Sequence, residues 1–268
     1  MKMKIGICFL AFALLAIGAR ADSLGLKNVA GCAVLGASAV TNTGSSVISG
    51  GVCVSAGTAI SGFPPGIVNQ GIQHNNDAVA ILAQASATFD FGILDSLSPT
   101  KDLTGKDLGG MTLTAGIYSF SSTAQLTGAL TLDFGGKSNM DIIIQVGSAL
   151  TTASGSSVLV TDAGANDHVF WVVGSSATLG TTTSFMGDIF AKDSITLNTG
   201  ATIQCGGAFA LTGAVTLDSN TISSCPSGIT GGTGGTGGTS PTPEPSSLLL
   251  LGTGLLGCVG VLRRKLLP

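Results

Sequence analysis

Apolar and polar residues alternate in short runs along most of this chain. Between Ser148 and Ser219 the alternation returns as one small phrase: Ser148-Ala-Leu-Thr, Ala177-Thr-Leu-Gly-Thr, Ile195-Thr-Leu-Asn-Thr and Val215-Thr-Leu-Asp-Ser. Aligned on its leucine, the phrase recurs at 150, 179, 197 and 217, at intervals of 29, 18 and 20 residues. Spacing near 18 to 20 residues, filled with β-branched residues and free of helical periodicity, predicts one coil of a β-solenoid per repeat. Leucines pointing inward send Thr178, Thr196 and Thr216 outward, stacked about 4.8 Å apart. The longer interval fits one coil plus a loop through residues 162–167.

The rest of the chain carries the same texture. Cys32-Ala-Val-Leu, Ala39-Val-Thr, Ser46-Val-Ile-Ser and Val52-Cys-Val read as short strands, with turns at Thr43-Gly44 and Gly50-Gly51 spaced for solenoid corners. Two prolines after Phe63 end any strand there. Residues 76–94 alone predict a helix, with Val79, Leu82, Phe89 and Ile93 on one stripe, Ser86 at the missing step, Asn75 or Asn76 as cap and Asp77 in the first turn. That stripe is expected to cover a flank of the solenoid, worth several kcal/mol. Strands then resume at Met111-Thr-Leu, Ile117-Tyr-Ser-Phe and Asp141-Ile-Ile-Ile-Gln-Val, and His168-Val-Phe-Trp-Val-Val173 reads as a strand buried on both faces. Leu126-Thr-Gly-Ala-Leu-Thr-Leu-Asp133 is echoed by Leu211-Thr-Gly-Ala-Val-Thr-Leu-Asp218, and the sequence leaves open whether both copies share a face. The last two coils divide into three strands each, which predicts a mainly β, three-sided solenoid.

Neither end belongs to that body. Residues 1–21 carry Lys2 and Lys4, an apolar run and Ala19-Arg-Ala21, the pattern of a cleaved secretory signal peptide. Residues 22–228 form the predicted folded domain. Residues 229–245, Thr-Gly-Gly repeats running into Ser-Pro-Thr-Pro-Glu-Pro, read as a flexible linker. Residues 246–268 hold 17 uncharged residues followed by Arg263-Arg-Lys265. Pro243-Glu-Pro245, the apolar run and the basic end together resemble the PEP-CTERM sorting tail of bacterial exported proteins. The resemblance implies recognition by an exosortase-type membrane enzyme and release to, or attachment at, the cell surface. Retention as a membrane anchor is the competing reading.

Charge and cysteine content narrow the function. The body holds 13 aspartates against five lysines, a net charge near −8, with no arginine or glutamate. It therefore lacks the basic face that nucleic acid requires. Glycoside hydrolysis needs a close carboxylate pair, and solenoid lyases need calcium-binding acids with an Arg or Lys base. Here the aspartates are scattered at turns. Asp162 and Asp167 flank a loop that could hold calcium, but they read as solvated turn residues in preference to it, and His168 reads as structural. No enzyme activity, cofactor or metal is expected. Cys32, Cys53, Cys205 and Cys225 allow three pairings, of which proximity favours Cys32 with Cys53 and Cys205 with Cys225.

A flat rank of threonines presents methyls and hydroxyls at fixed spacing with little side-chain freedom to lose. It matches a ligand that is itself periodic, such as ice or a crystalline polysaccharide. Val34-Leu-Gly-Ala-Ser-Ala-Val-Thr-Asn-Thr-Gly44, Gly57-Thr-Ala-Ile-Ser-Gly-Phe-Pro-Pro-Gly66, Leu103-Thr-Gly-Lys-Asp-Leu-Gly-Gly110, Leu113-Thr-Ala-Gly-Ile-Tyr-Ser-Phe120, Phe170-Trp-Val-Val-Gly-Ser-Ser-Ala-Thr-Leu-Gly180 and Ser194-Ile-Thr-Leu-Asn-Thr-Gly-Ala-Thr202 resemble the microbial ice-binding protein family. The resemblance spans residues 28–224. It implies a discontinuous solenoid whose N-terminal strands complete the end formed by the C-terminal coils, with one long helix packed alongside. It also implies adsorption to ice through a face holding Thr151, Thr178, Thr196, Asn198 and Thr216, extended by Ser38. Thr181, Thr199 and Thr202 are secondary candidates on the adjacent corner and side. Gly180, Asp218 and Ala149 depart from a regular threonine rank. The expected partner is an ice crystal surface met by a monomer; the alternative is a surface adhesin for extracellular polysaccharide or biofilm matrix.

Overall fold

A computed structural model describes residue 29 and residues 31–225. The predicted leader, linker and sorting tail lie outside the described residues. Within them, three parallel sheets of nine, seven and eight strands form the three sides of one solenoid. Each C-terminal coil contributes one strand to each side: Asp188–Ala191, Ile195–Leu197 and Thr202–Gln204, then Ala208–Ala210, Val215–Asp218 and Thr221–Ser223.

The chain does not stack in order. The strands Cys32–Gly36, Ala39–Thr43 and Val47–Ser49 pair with Ala208–Ala210, Val215–Asp218 and Thr221–Ser223, so the first coil is laid on the last. A further coil, Gly51–Val54, Ala59–Ser61 and Ile67–Asn69, sits beyond it, with the strand Gln73–Asn75 added outside Gly51–Val54. The helix then carries the chain to the opposite end of the solenoid, where Lys101–Asp102 begins the continuous stack. Disulfides join Cys32 to Cys53 and Cys205 to Cys225, each between neighbouring coils.

Inward positions build one core. Leu126, Leu150, Leu179, Leu197, Leu217 and Ile222 are buried there with Trp171 and Phe185, whose rings lie 4.7 Å apart. The indole N–H of Trp171 donates to the Met186 carbonyl at 3.0 Å. The His168–Val173 strand is buried from Val169 onward: its alternate residues enter this core, and Phe170 and Val172 enter a second one beneath the helix.

That second core corrects the predicted helix. The helix runs Ala78–Ser96, Asp77 is its N-cap through a bond from the Ala80 amide, and Asn75 and Asn76 precede it. Its buried face is Ala80, Ala83, Ala87, Asp90 and Leu94. Of the predicted stripe, Leu82 and Phe89 instead look outward, 63% and 66% exposed, and Val79 and Ile93 are half-buried. The reason is volume. The sheet beneath presents Leu35, Ile143, Phe170, Val172, Phe190 and Phe209, and only a small-residue face lets the helix backbone settle onto them. Gln145 holds the far end, donating to the Leu94 and Leu97 carbonyls at 2.8 and 2.9 Å. Asp77→Ala removes the cap and is expected to cost about 1 kcal/mol, measurable as a lower urea midpoint with an unchanged m-value.

Candidate functional site

The seven-stranded sheet carries the rank that the sequence pattern pointed to, and carries more of it. Strand pairing aligns Gln125 with Thr151, Thr151 with Thr178, Thr178 with Thr196, and Thr196 with Thr216. The rank then crosses into the N-terminal segment, where Thr216 pairs with Thr41 and Thr41 with Ser61. The Thr41 and Thr216 hydroxyls lie 3.5 Å apart. On either side of these positions the pleat turns residues inward, and Leu150, Leu179, Ile195, Leu197, Val215 and Leu217 anchor the outward row from beneath.

Two residues before each member of the rank lies a second row: Thr123, Ala149, Ser176, Ser194, Ala214, Ala39 and Ala59. Ala149 therefore belongs to a small-residue row beside the threonines and leaves their rank unbroken. Neither row holds an ionisable residue, so no tightly hydrated charge stands on this part of the plane.

The opposite margin is less regular, and its irregularities have separate causes. A Cβ added at Gly180 would lie 2.6 Å from the Thr152 carbonyl oxygen, so close backbone approach dictates the glycine. Thr152 itself points inward; its hydroxyl accepts from the Gly180 amide at 2.8 Å and lies 2.8 Å from that of Thr183. Asp218 pairs with Thr43 at this margin, and its carboxylate accepts from the hydroxyls of Thr199 and Ser219.

The predicted site residues thus divide. Thr151, Thr178, Thr196 and Thr216 stand in one rank, and Asn198 is exposed on the irregular margin two residues beyond Thr196. Ser38 occupies the exposed bend before Ala39–Thr43, so the N-terminal segment's member of the rank is Thr41. Thr181 and Thr199 are exposed on corners, and Thr202 is outward on the eight-stranded sheet. The repeat pattern misses Thr41 although Val40-Thr41-Asn42 shows the required in-out-in alternation; a strand laid on the last coil from far away in sequence falls in no repeat interval. Ser61 and Gln125 terminate the rank; Ser61 escapes the pattern for the same topological reason, and Gln125, on the coil before Thr151, because it is not a threonine.

The other exposed side differs in kind. Outward residues of the eight-stranded sheet include a short row of Ser184, Thr202 and Thr221, but that row runs on into Val47 and Ile67, and Leu159, Met186 and Gln204 also face outward, so apolar and polar side chains mix on this side. The helix covers the third side.

Comparisons with known proteins agree on the body. Residues 34–223 match the Ice-binding-like family model, and residues 241–265 match the PEP-CTERM protein-sorting motif. An ice-binding protein of Nostoc sp. (strain HG1) is 47% identical over 266 residues, covering 98% of this chain and 96% of that protein. A crystal structure of an ice binding protein from an Antarctic Biological Consortium aligns with TM-score 0.68 at 40% identity, covering 72% of this chain and 88% of that one. An ice-binding protein from the Antarctic ascomycete Antarctomyces psychrotrophicus aligns with TM-score 0.67 at 36% identity, covering 79% of this chain and 98% of that one. The matches extend over 88% and 98% of those two solved chains.

Proposed function

The chain belongs to the ice-binding-like family, and from that premise we propose that its two-row threonine and small-residue face is the surface that adsorbs to ice. The protein binds ice, and it acts by adsorption without a chemical step. The observation that carries the choice of face is the unbroken, uncharged rank from Gln125 through Thr41 to Ser61, assembled from two separate parts of the chain.

Each threonine sets a methyl and a hydroxyl on a rigid strand. Water held between methyls and hydrogen-bonded to hydroxyls takes positions fixed by the strand spacing, about 4.8 Å. Because strand, coil and core already immobilise the side chains, adsorption costs little further entropy. The ordered layer merges with the crystal, and ice growing between adsorbed molecules is forced into curved fronts that stop advancing.

The sorting motif supports export and, together with the predicted leader, a location of the solenoid outside the cytoplasm after recognition of the tail by an exosortase-type enzyme. The polysaccharide-adhesin alternative has no observation in its favour.

The test is thermal hysteresis and ice recrystallisation inhibition by residues 22–231; absence of both activities would sink this reading. The margin offers a second measurement. Asp218→Asn keeps an acceptor for Thr199 while removing a charge with its own hydration shell. It is expected to raise hysteresis modestly at neutral pH. A fall in activity at neutral pH would show that the carboxylate contributes through its bonds to Thr199 and Ser219.

A further inference from the structure

The outer face of the helix is the least ordinary surface of the molecule. Between Asp77 and Asp95 its exposed positions carry no charge, and Ile81, Leu82 and Phe89 are each more than half exposed. Water-facing helices are normally polar on this side, and a continuous apolar stripe on an exported protein marks a contact surface.

The spacing of the stripe specifies the kind of contact. Ala78, Leu82, Ala85, Phe89 and Gly92 are all exposed and follow one another at intervals of four, three, four and three residues. That is the spacing of the seam by which one helix meets another along its length, with the exposed Ile81 and Thr88 flanking it. The side chains also alternate small, large, small, large, small. A methyl added at Gly92 would meet nothing within 4 Å, so this end of the seam is open.

The order reads the same in both directions about Ala85. Running a second copy antiparallel across the first sets Leu82 against the partner's Phe89, Ala85 against its own counterpart, and Ala78 against the partner's Gly92. Large layers then alternate with small ones that allow close approach. A two-fold interface requires this reciprocity, in which residue i meets j and j meets i. A lipid surface would favour a rim of Lys and Arg beside the apolar stripe, and the helix has none.

We infer that the helix is a self-association surface, through which two copies pair antiparallel about Ala85. The predicted monomer is then the dilute form. The seam from Ala78 to Gly92 is about 21 Å long and buries less than the roughly 800 Å² per partner of a standard interface, so the pair is weak and concentration-dependent. The helix and the threonine sheet are different sides of the solenoid, so pairing consumes none of the ice-contacting rank, and a pair presents two such ranks.

The experiment is sedimentation equilibrium of residues 22–231 from about 1 μM to 1 mM, the range over which weak interfaces of this size form. The expected result is a mass rising from monomer toward dimer, and a constant monomer mass for the variant carrying Leu82→Glu and Phe89→Glu with an unchanged circular dichroism spectrum. Oxidative cross-linking supplies an independent reading, since all four body cysteines are already paired. Ala85→Cys should form an intermolecular disulfide, and Asp95→Cys, placed at opposite ends of an antiparallel pair, should not. A native protein that stays monomeric to 1 mM overturns the inference. So do equal association by the double variant, cross-linking at position 95 but not 85, and flotation with phosphatidylglycerol vesicles in place of pairing. Hysteresis per molecule at micromolar concentration should be the same for native and double variant, which separates failure here from failure of the ice-binding face.

Discussion

Thr196→Tyr is expected to remove most of the thermal hysteresis, with little change in folding stability. Thr196 stands in the interior of the rank, between Thr178 and Thr216. A periodic ligand has to be met by all members at once, so a phenol ring standing above the plane holds its neighbours away as well. The fold should tolerate the change, because the side chain points outward and surface substitutions of this kind usually stay within about 0.5 kcal/mol. Two further variants locate the site. Thr41→Tyr should be nearly as damaging, since the N-terminal strand continues the rank next to Thr216. Thr202→Tyr, on the eight-stranded sheet, should leave hysteresis near the native value. Loss at Thr202 with retention at Thr196 and Thr41 would move the ice-contacting surface to the other side.

Much of this was legible in the sequence where structure is local. The 18- and 20-residue intervals place Thr178, Thr196 and Thr216 in one rank because each coil repeats the same inward leucine and outward threonine. The 29-residue interval held one coil and the loop through 162–167 as expected, but aligning it on leucine set the register two residues off. Leu150 pairs with Ala177, 27 residues on, and Thr152 takes the inward position that Leu179 fills on the next coil. A buried threonine reads from sequence as an exposed one, and only its bonds to Gly180 and Thr183 reveal where it points. The echoed phrases likewise separate in space: residues 129–133 lie on the eight-stranded sheet and residues 215–218 on the threonine sheet. Identical alternation suits any side of a solenoid. The helix failed for another reason. Its hydrophobic stripe was real, but the burial of Ala80, Ala83 and Ala87 depends on how far the side chains of the sheet beneath protrude, which no periodicity in the helix records.

The same packing predicts that stability declines as pH rises from about 4 to 8. Asp90 is 4% exposed on the underside of the helix, and burial raises its pKa from 3.8 to about 6. Asp188, on the sheet below, is raised to about 7, mainly by burial; the Gly207 amide and His168 oppose the shift, and the charge of Asp90 adds to it. A carboxyl whose folded pKa lies above its unfolded value favours folding fully below the unfolded pKa, and that contribution is lost as pH climbs through the folded one. For Asp90 the loss amounts to about 3 kcal/mol at pH 8. The opposite sign holds for Asp77, lowered by the Ala80 amide and His74, and for Asp102, lowered by the Thr104 hydroxyl and amide. Those groups contribute above pH 4 and lose their effect in acid, so stability should be greatest in mildly acidic solution. Asp90→Asn supplies the check. A neutral isostere should raise the melting temperature at pH 8 and leave it unchanged near pH 4, flattening the decline. An equal gain at both pH values would mean that shape or hydrogen bonding at this position, and not the ionisation of a buried acid, limits the docking of the helix.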